Sequence, residues 1–162
     1  MRLMEKPGKC LVVIRVRGVS DVYKEISETL KLLNLTRNCH AVLIDDRPAY
    51  LGMLKKARDY ITWGEISEDN LLALLKSRGR LIGDKKLNDE YAKKLGYSGL
   101  EGLAKALYTL KIEYKSLPGV KPVFRLHPPS KGFRGKIKRD FTVGGVTGYR
   151  GAAINDLLKR MM

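Results

Sequence analysis

The chain has 162 residues, 44% of them hydrophobic, enough for one core of ordinary size, so a single domain with appendages is expected rather than a disordered polycation. Its 32 Lys and Arg against 17 Asp and Glu leave a formal charge of +15, which points to a polyanionic partner. The start, residues 1–17, holds only the short apolar run Leu11 to Ile14 before Arg15, too little for a signal peptide or a membrane span, and a cytoplasmic protein is expected.

Residues 10–17 alternate as a strand, with Val12, Ile14 and Val16 on one face and Leu11, Val13, Arg15 and Arg17 on the other; Gly18 ends it. From Ser20 to Leu33, Val22, Ile26, Leu30 and Leu33 fall at helical spacing behind a Ser20/Asp21 cap. Cys39 to Ile44 reads as a second strand closed by Asp45 and Asp46. Asp46 serves as cap, and Pro48 in the first turn opens a helix reaching about Ala57. Tyr60 to Glu65 is the third strand. Two helices need cover only one face of three strands, so the opposite face, with Arg15 and Arg17, is expected to be free for a partner.

Ser67 caps the next helix, with Ile66 and Leu71 as a hydrophobic staple and Gly79 after its basic last turn. A short helix near Asp89 to Leu95 stops at Gly96, and Ser98 with Glu101 forms a capping box for a helix carrying Leu100, Leu103, Ala104 and Leu107. Ser116 to Val120 reads as a turn. Residues 121–139 then carry Lys121, Arg125, Lys131, Arg134, Lys136, Lys138 and Arg139 with no acid, and Pro128, Pro129, Gly132 and Gly135 oppose regular structure. An extended strip that follows a phosphate backbone fits this composition. The last helix places Ile154, Leu157, Leu158 and Met161 on one face.

Charge is uneven along the chain. Residues 121–162 hold 10 cations and 2 anions, and residues 1–120 hold 22 and 15. Two cysteines, Cys10 and Cys39, make a zinc site only if both His40 and His127 join them, so no metal is expected. Both cysteines begin predicted strands and read as small buried side chains. The chain has no glutamine and is rich in Lys, Arg and Glu, the bias of thermophile proteins, in which intracellular disulfides are less unusual. A Cys10–Cys39 bridge therefore stays open.

Five motifs in order are specific as a set: Ile14-Arg15-Val16-Arg17-Gly18, Tyr50-Leu51-Gly52-Met53-Leu54, Ile61-Thr62-Trp63-Gly64-Glu65, Arg125-Leu126-His127-Pro128-Pro129 with Lys131-Gly132-Phe133, and Gly144-Gly145 through Gly148-Tyr149-Arg150 to Ile154-Asn155-Asp156-Leu157. Together they closely resemble the archaeal long form of the large-ribosomal-subunit protein thirty family (uL30), related to eukaryotic large-subunit protein seven. The resemblance departs from the eukaryotic relatives at their long basic N-terminal arm, so no contacts of that arm are expected here. The resemblance implies an α+β fold: a ferredoxin-like βαβαβ core, a helical extension, and an extended basic C-terminal arm ending in a short helix. The expected division is residues 1–66 as RNA-binding core, 67–120 as helical extension packed on the core, and 121–162 as basic arm and C-terminal helix. It also implies a ribosomal protein of the large ribosomal subunit, bound to large-subunit rRNA and close to the 5S rRNA, beside neighbouring ribosomal proteins. No cofactor, small-molecule substrate or membrane is implied.

Arginine's planar fork suits paired phosphate oxygens or an exposed base, while lysine acts as a mobile point charge. The arm candidates for RNA contact are Arg125, His127, Lys131, Arg134, Lys136, Lys138 and Arg139, with Phe133 for stacking, although an aromatic there equally anchors the arm to its own domain. Core candidates are Arg15, Arg17, Arg37, Lys55 and Lys56, with Trp63 as a weak stacking site; Arg150 joins them from the C-terminal segment. Two other functions compete: a free RNA-binding regulator outside the ribosome, and a metal-dependent RNA-processing enzyme built on Asp45, Asp46, Glu65 and a histidine. The second requires those groups to converge in a pocket.

Overall fold

The computed structural model describes residues 8–162; the reading of residues 1–17 as neither signal peptide nor membrane span lies outside them in its first seven residues. The order is β1 (Leu11–Arg15), α1 (Lys24–Leu32), β2 (His40–Ile44), α2 (Pro48–Lys56), β3 (Ile61–Glu65), α3 (Glu68–Arg78), α4 (Asp89–Lys94), α5 (Leu100–Tyr108), β4 (Phe124–Arg125), β5 (Lys136–Asp140), β6 (Gly145–Tyr149) and α6 (Ile154–Met161). This is the α+β, ferredoxin-like core followed by helices and a terminal helix. The sheet is wider than three strands: its order is β4-β2-β1-β3-β6-β5. β1 lies antiparallel to both β2 and β3, and β6 runs parallel to β3 and to β5. Glycines and short polar runs hid the last three strands from period-two reading.

Both faces of the sheet are covered. Leu11, Val13, Val42, Ile61 and Trp63 pack with Leu30, Leu33 and Leu54 under α1 and α2. Val12, Ile14, Val16 and Ala41 pack on the other side against Leu71, Leu75, Leu103, Leu107, Ile154, Leu157 and Leu158 of α3, α5 and α6. The expected free face is therefore occupied by the helical extension. The face with Arg15 is the one beneath α1 and α2, because odd positions of β1 point there.

The caps differ in detail. Asp21 adopts a left-handed φ of 56°, which breaks the helix, so α1 starts behind Tyr23 with no side-chain cap. Arg47, not Asp46, precedes α2; Asp45 Oδ1 instead accepts the Arg47 backbone N–H at 3.1 Å, and Pro48 fills the first turn. Ser67 caps α3 through the Asn70 N–H. No Ser98–Glu101 box forms: Gly99 precedes α5, and Asp89, from the first turn of α4, accepts the Leu100 N–H at 2.9 Å.

The final helix is seated by a glycine. Ile154, Leu157, Leu158 and Met161 are all fully buried. A Cβ on Gly64 would stand 2.0 Å from the Gly151 carbonyl oxygen and 2.9 Å from Ile154 Cγ2, so β3 and the entry to α6 meet only because position 64 lacks a side chain. The cysteines are both free and buried. Leu11 pairs with Ile44 and Ile14 with Ala41, so Cys10 and Cys39 sit at opposite ends of the β1–β2 ladder. Six strand residues separate their levels, roughly 20 Å, far beyond disulfide reach.

Candidate nucleic-acid interface

The sheet has two chemically different ends. Where β1 finishes, β2 and β3 begin, and the loops there carry Arg17, Arg37 and Arg58. Arg37 and Arg58 are exposed; Arg17 is half-buried, with its guanidinium 4.6 Å above the Tyr60 ring. Lys55 and Lys56 close α2 at the same end, both exposed, and Lys56 lies 3.9 Å from Glu25 at the start of α1. Arg125 joins them through β4, since it pairs with His40 in the ladder. His40 records the resulting field: burial first, then Arg125, Arg37 and Arg15, push its pKa below the ordinary histidine value.

The basic segment is fastened at both ends. Phe124 is fully buried and stacks on Tyr114 with centroids 4.7 Å apart, and Leu126 donates its N–H to Cys39 O at 3.1 Å. The next stretch is tied to the end of α6, through the His127 N–H to Met161 O and the Ser130 N–H to Arg160 O. Arg160 also donates to the Ser130 and Gly132 carbonyls. Lys131 and Arg134 hold left-handed φ values of 64° and 57° around Gly132 at 72°, strained for side-chain-bearing residues, and both side chains are exposed. β5 then runs along the outer edge of the sheet with Lys136, Lys138 and Arg139 exposed. Most of the arm cations face solvent on a backbone the fold holds in place.

Three candidates from the sequence do not face solvent. Arg15 is 4% exposed; its guanidinium donates to the carbonyls of Arg17 at 2.8 Å, Leu35 at 2.7 Å and Gly18 at 3.0 Å. It joins the loop after β1 to the loop after α1, so its service to the basic end is to position Arg17 and Arg37. Arg150 is 8% exposed and donates to Thr62 Oγ1 at 2.8 Å and to Val146 O at 2.6 Å, with Phe141 4.8 Å from its guanidinium. Burial, then the charge of Arg160, holds its pKa below the ordinary arginine value. Trp63 is 8% exposed in the core under α1 and α2. Phe133 is half-buried against the other core cluster, and His127 Nδ1 lies 2.6 Å from Pro128 O. The most exposed aromatic rings among the described residues were missed: Tyr23 is 79% exposed and Tyr149 49%. Position next to a loop or at the end of the last strand was the only signal for either, and neither lies in a basic run.

At the opposite end of the sheet the groups are acidic and paired. Asp45 accepts three side-chain bonds from Arg47, which also meets Glu113; Glu65 accepts from Tyr149 Oη at 2.5 Å and lies 3.7 Å from Lys9. A cavity of about 1040 Å³ opens there, lined by Asp45, Asp46, Tyr50, Glu113 and Lys115 among others. His40 lies at the other end of β2, five residues from Asp45, roughly 16 Å along the strand. Among the described residues, no three His, Cys, Asp or Glu side chains gather to hold a metal. None of their helices is long and apolar enough to cross a membrane.

A family model described as Ribosomal protein L30p/L7e matches residues 11–61, the span from β1 to the start of β3. The chain is 50% identical over 152 residues to large ribosomal subunit protein uL30 of Thermofilum pendens, covering 93% of this chain and 97% of that one. It is 49% identical over 149 residues to uL30 of Methanopyrus kandleri, covering 91% and 100%. Against uL30 of Staphylothermus marinus the identity is 50% over 156 residues, covering 93% and 96%.

Proposed function

The chain belongs to the ribosomal protein L30p/L7e family, and from that membership we propose how it serves as a structural, non-enzymatic constituent of the large ribosomal subunit: it clamps folded rRNA with the basic end of its sheet. The single observation that carries this reading is polarity. Arg17, Arg37, Lys55, Lys56, Arg58, Arg125, Lys131, Arg134, Lys136, Lys138 and Arg139 gather toward the end where β2 and β3 begin and along the adjoining edge, while Asp45, Asp46, Glu65 and Glu113 lie at the other. A duplex or folded RNA meets such a surface through phosphates and shape, with Tyr23 as an exposed ring able to stack on a base.

In this reading residues 8–66 present the loops, 67–120 together with α6 close the second face of the sheet, and the rest of 121–162 adds β4, β5, β6 and the basic loop. The RNA segment is large-subunit rRNA in the neighbourhood of the 5S rRNA, and the acidic end is left for neighbouring proteins. The test is co-sedimentation of the tagged protein with large subunits through a high-salt wash, beside binding to a large-subunit rRNA transcript. Replacing Lys136, Lys138 and Arg139 by Ala should reduce the slope of log affinity against log salt by about 2 to 3. An unchanged slope would remove β5 from the interface, and recovery of the protein free of ribosomes would favour a regulator acting on other RNA.

A further inference from the structure

A second concentration of arginine lies where the start of the arm meets the helical extension, in a cleft beside β4. Its volume is about 230 Å³, and its walls are Arg78, Arg80, Asp84 and Arg125. The cleft is built by regular contacts. Leu81 pairs with Val120, Arg80 with Lys86, and the Lys121 N–H donates to Arg80 O at 3.0 Å, which brings the end of α3 against the start of the basic segment. Lys121 reaches in from that segment, with Nζ 2.5 Å from Asp84 Oδ1; Arg125 NH1 is 3.8 Å from the same oxygen. Lys121 and Arg125 thus converge on one carboxylate, with Arg78 and Arg80 lining the same cleft.

That carboxylate is poorly suited to satisfy them. Asp84 stands at the tip of a tight turn, 65% exposed at its side chain, with left-handed φ values at Gly83 and at Asp84 itself. Arg80 turns one nitrogen back to the carbonyls of Ser77 and Gly79, and Arg78 gives one to Met162 O. Arg78 Nε is buried without a partner, and among the described residues the Arg125 side chain makes no hydrogen bond. Donors and charge both exceed what the chain supplies. The two non-bridging oxygens of a phosphodiester, set tetrahedrally and sharing one charge, can accept from several such forks at once, whereas Asp84 meets its cations through Oδ1 alone.

We propose that this cleft is a phosphate site for the RNA backbone, in which a phosphodiester is held by Arg78, Arg80, Lys121 and Arg125 and displaces Asp84 from its contacts. The inference rests on the RNA-binding reading above and extends the interface from the arm onto the helical extension. Asp84 acts in the free protein as an internal stand-in for the phosphate: it keeps Lys121 and Arg125 in place and is released when RNA arrives.

The test compares full-length wild type, Asp84→Asn and Arg80→Met for affinity to a large-subunit rRNA transcript, with urea melts to confirm that each variant is folded. The side-chain Nε–H resonance of Arg78 is followed at the same time with the transcript and, separately, with inorganic phosphate. Removing the competing carboxylate should tighten RNA binding about 3- to 10-fold, whereas Arg80→Met should weaken it about 10-fold and lower the salt slope by about 1. The Arg78 resonance should shift on adding RNA. Unchanged or weaker binding by Asp84→Asn would overturn the proposal, as would an Arg78 resonance that ignores RNA. A shift with inorganic phosphate, with no change of RNA affinity in either variant, would make this a free-anion site and overturn the assignment to RNA. Loss of binding by the β5 triple variant with no effect here would keep the interface and remove only the cleft.

Discussion

Replacing Gly64 by Ala should destabilise the protein, although glycine inside a strand ordinarily favours the opposite result. Gly64 has no left-handed φ, so alanine fits its backbone and would by chain entropy alone add about 0.4–1 kcal/mol. The new Cβ, however, would be 2.0 Å from Gly151 O and 2.9 Å from Ile154 Cγ2, so the entry to α6 must retreat by about 1 Å, which forfeits a quarter to a half of each touching atom pair's attraction. Ile154, Leu157, Leu158 and Met161 are fully buried there, each worth about 2 kcal/mol of burial. Losing a quarter of that outweighs the entropic gain and leaves a net loss of about 1–2 kcal/mol. For a chain of this size the midpoint should fall by about 2–6 °C. Gly52→Ala is the control: nothing lies within 4 Å of its added Cβ in α2, and it should stabilise by up to about 1 kcal/mol. Urea and thermal melts followed by circular dichroism measure both. A Gly64→Ala protein as stable as wild type would refute the close seating of α6 on β3.

Other expectations follow from buried polar groups. Burial, with the charge of Asp45 adding to it, raises the Cys10 pKa to about 12, and burial raises that of Cys39 too, so iodoacetamide at pH 8 should label neither in the native protein and both in urea. Mass spectrometry of the oxidised chain should find no intramolecular Cys10–Cys39 bridge. His40 holds fewer protons folded than unfolded, so its contribution is complete above the ordinary histidine value and declines as pH falls through about 6.5. Urea melts at pH 7.5 and 5.5 should show this loss, and His40→Asn should remove it; an undiminished loss in the variant would place its source elsewhere. Arg150→Lys cannot reproduce the paired bonds to Thr62 and Val146 and should cost about 2 kcal/mol in a urea melt. Its RNA salt slope should stay at the wild-type value, and a reduced slope would return Arg150 to the interface.

Local periodicity was enough for β1, α1, β2, α2, β3 and α3, because each pairs an apolar face of the right period with a nearby stop signal. Ser67, Pro48 and Gly96 act within a turn of their own positions, so their roles were legible. The caps at Asp46 and Ser98 failed for the complementary reason: a donor can be satisfied by any oxygen in reach, and Asp89 reaches the Leu100 N–H from another helix. The charge run from Lys121 to Arg139 was plain in the sequence, but its course was not, since Phe124 and Leu126 enter the core while the cations between and beyond them stay outside.

Sequence alone determined the chemical character of this protein: a mixed helix and strand core, an excess of cations gathered toward the C-terminal quarter, and motifs whose order marks the family. Those properties are carried by residue type and by spacings of two to four residues. Tertiary structure decided which cations remain available. Arg15 closes β1 and Arg17 follows two residues later in the loop, yet one is fixed beneath α1 by three carbonyls and the other reaches toward solvent over Tyr60. Whether a guanidinium meets a backbone oxygen or a phosphate depends on what chain returns above it, and that partner comes from a distant part of the sequence: Leu35 for Arg15, Thr62 for Arg150.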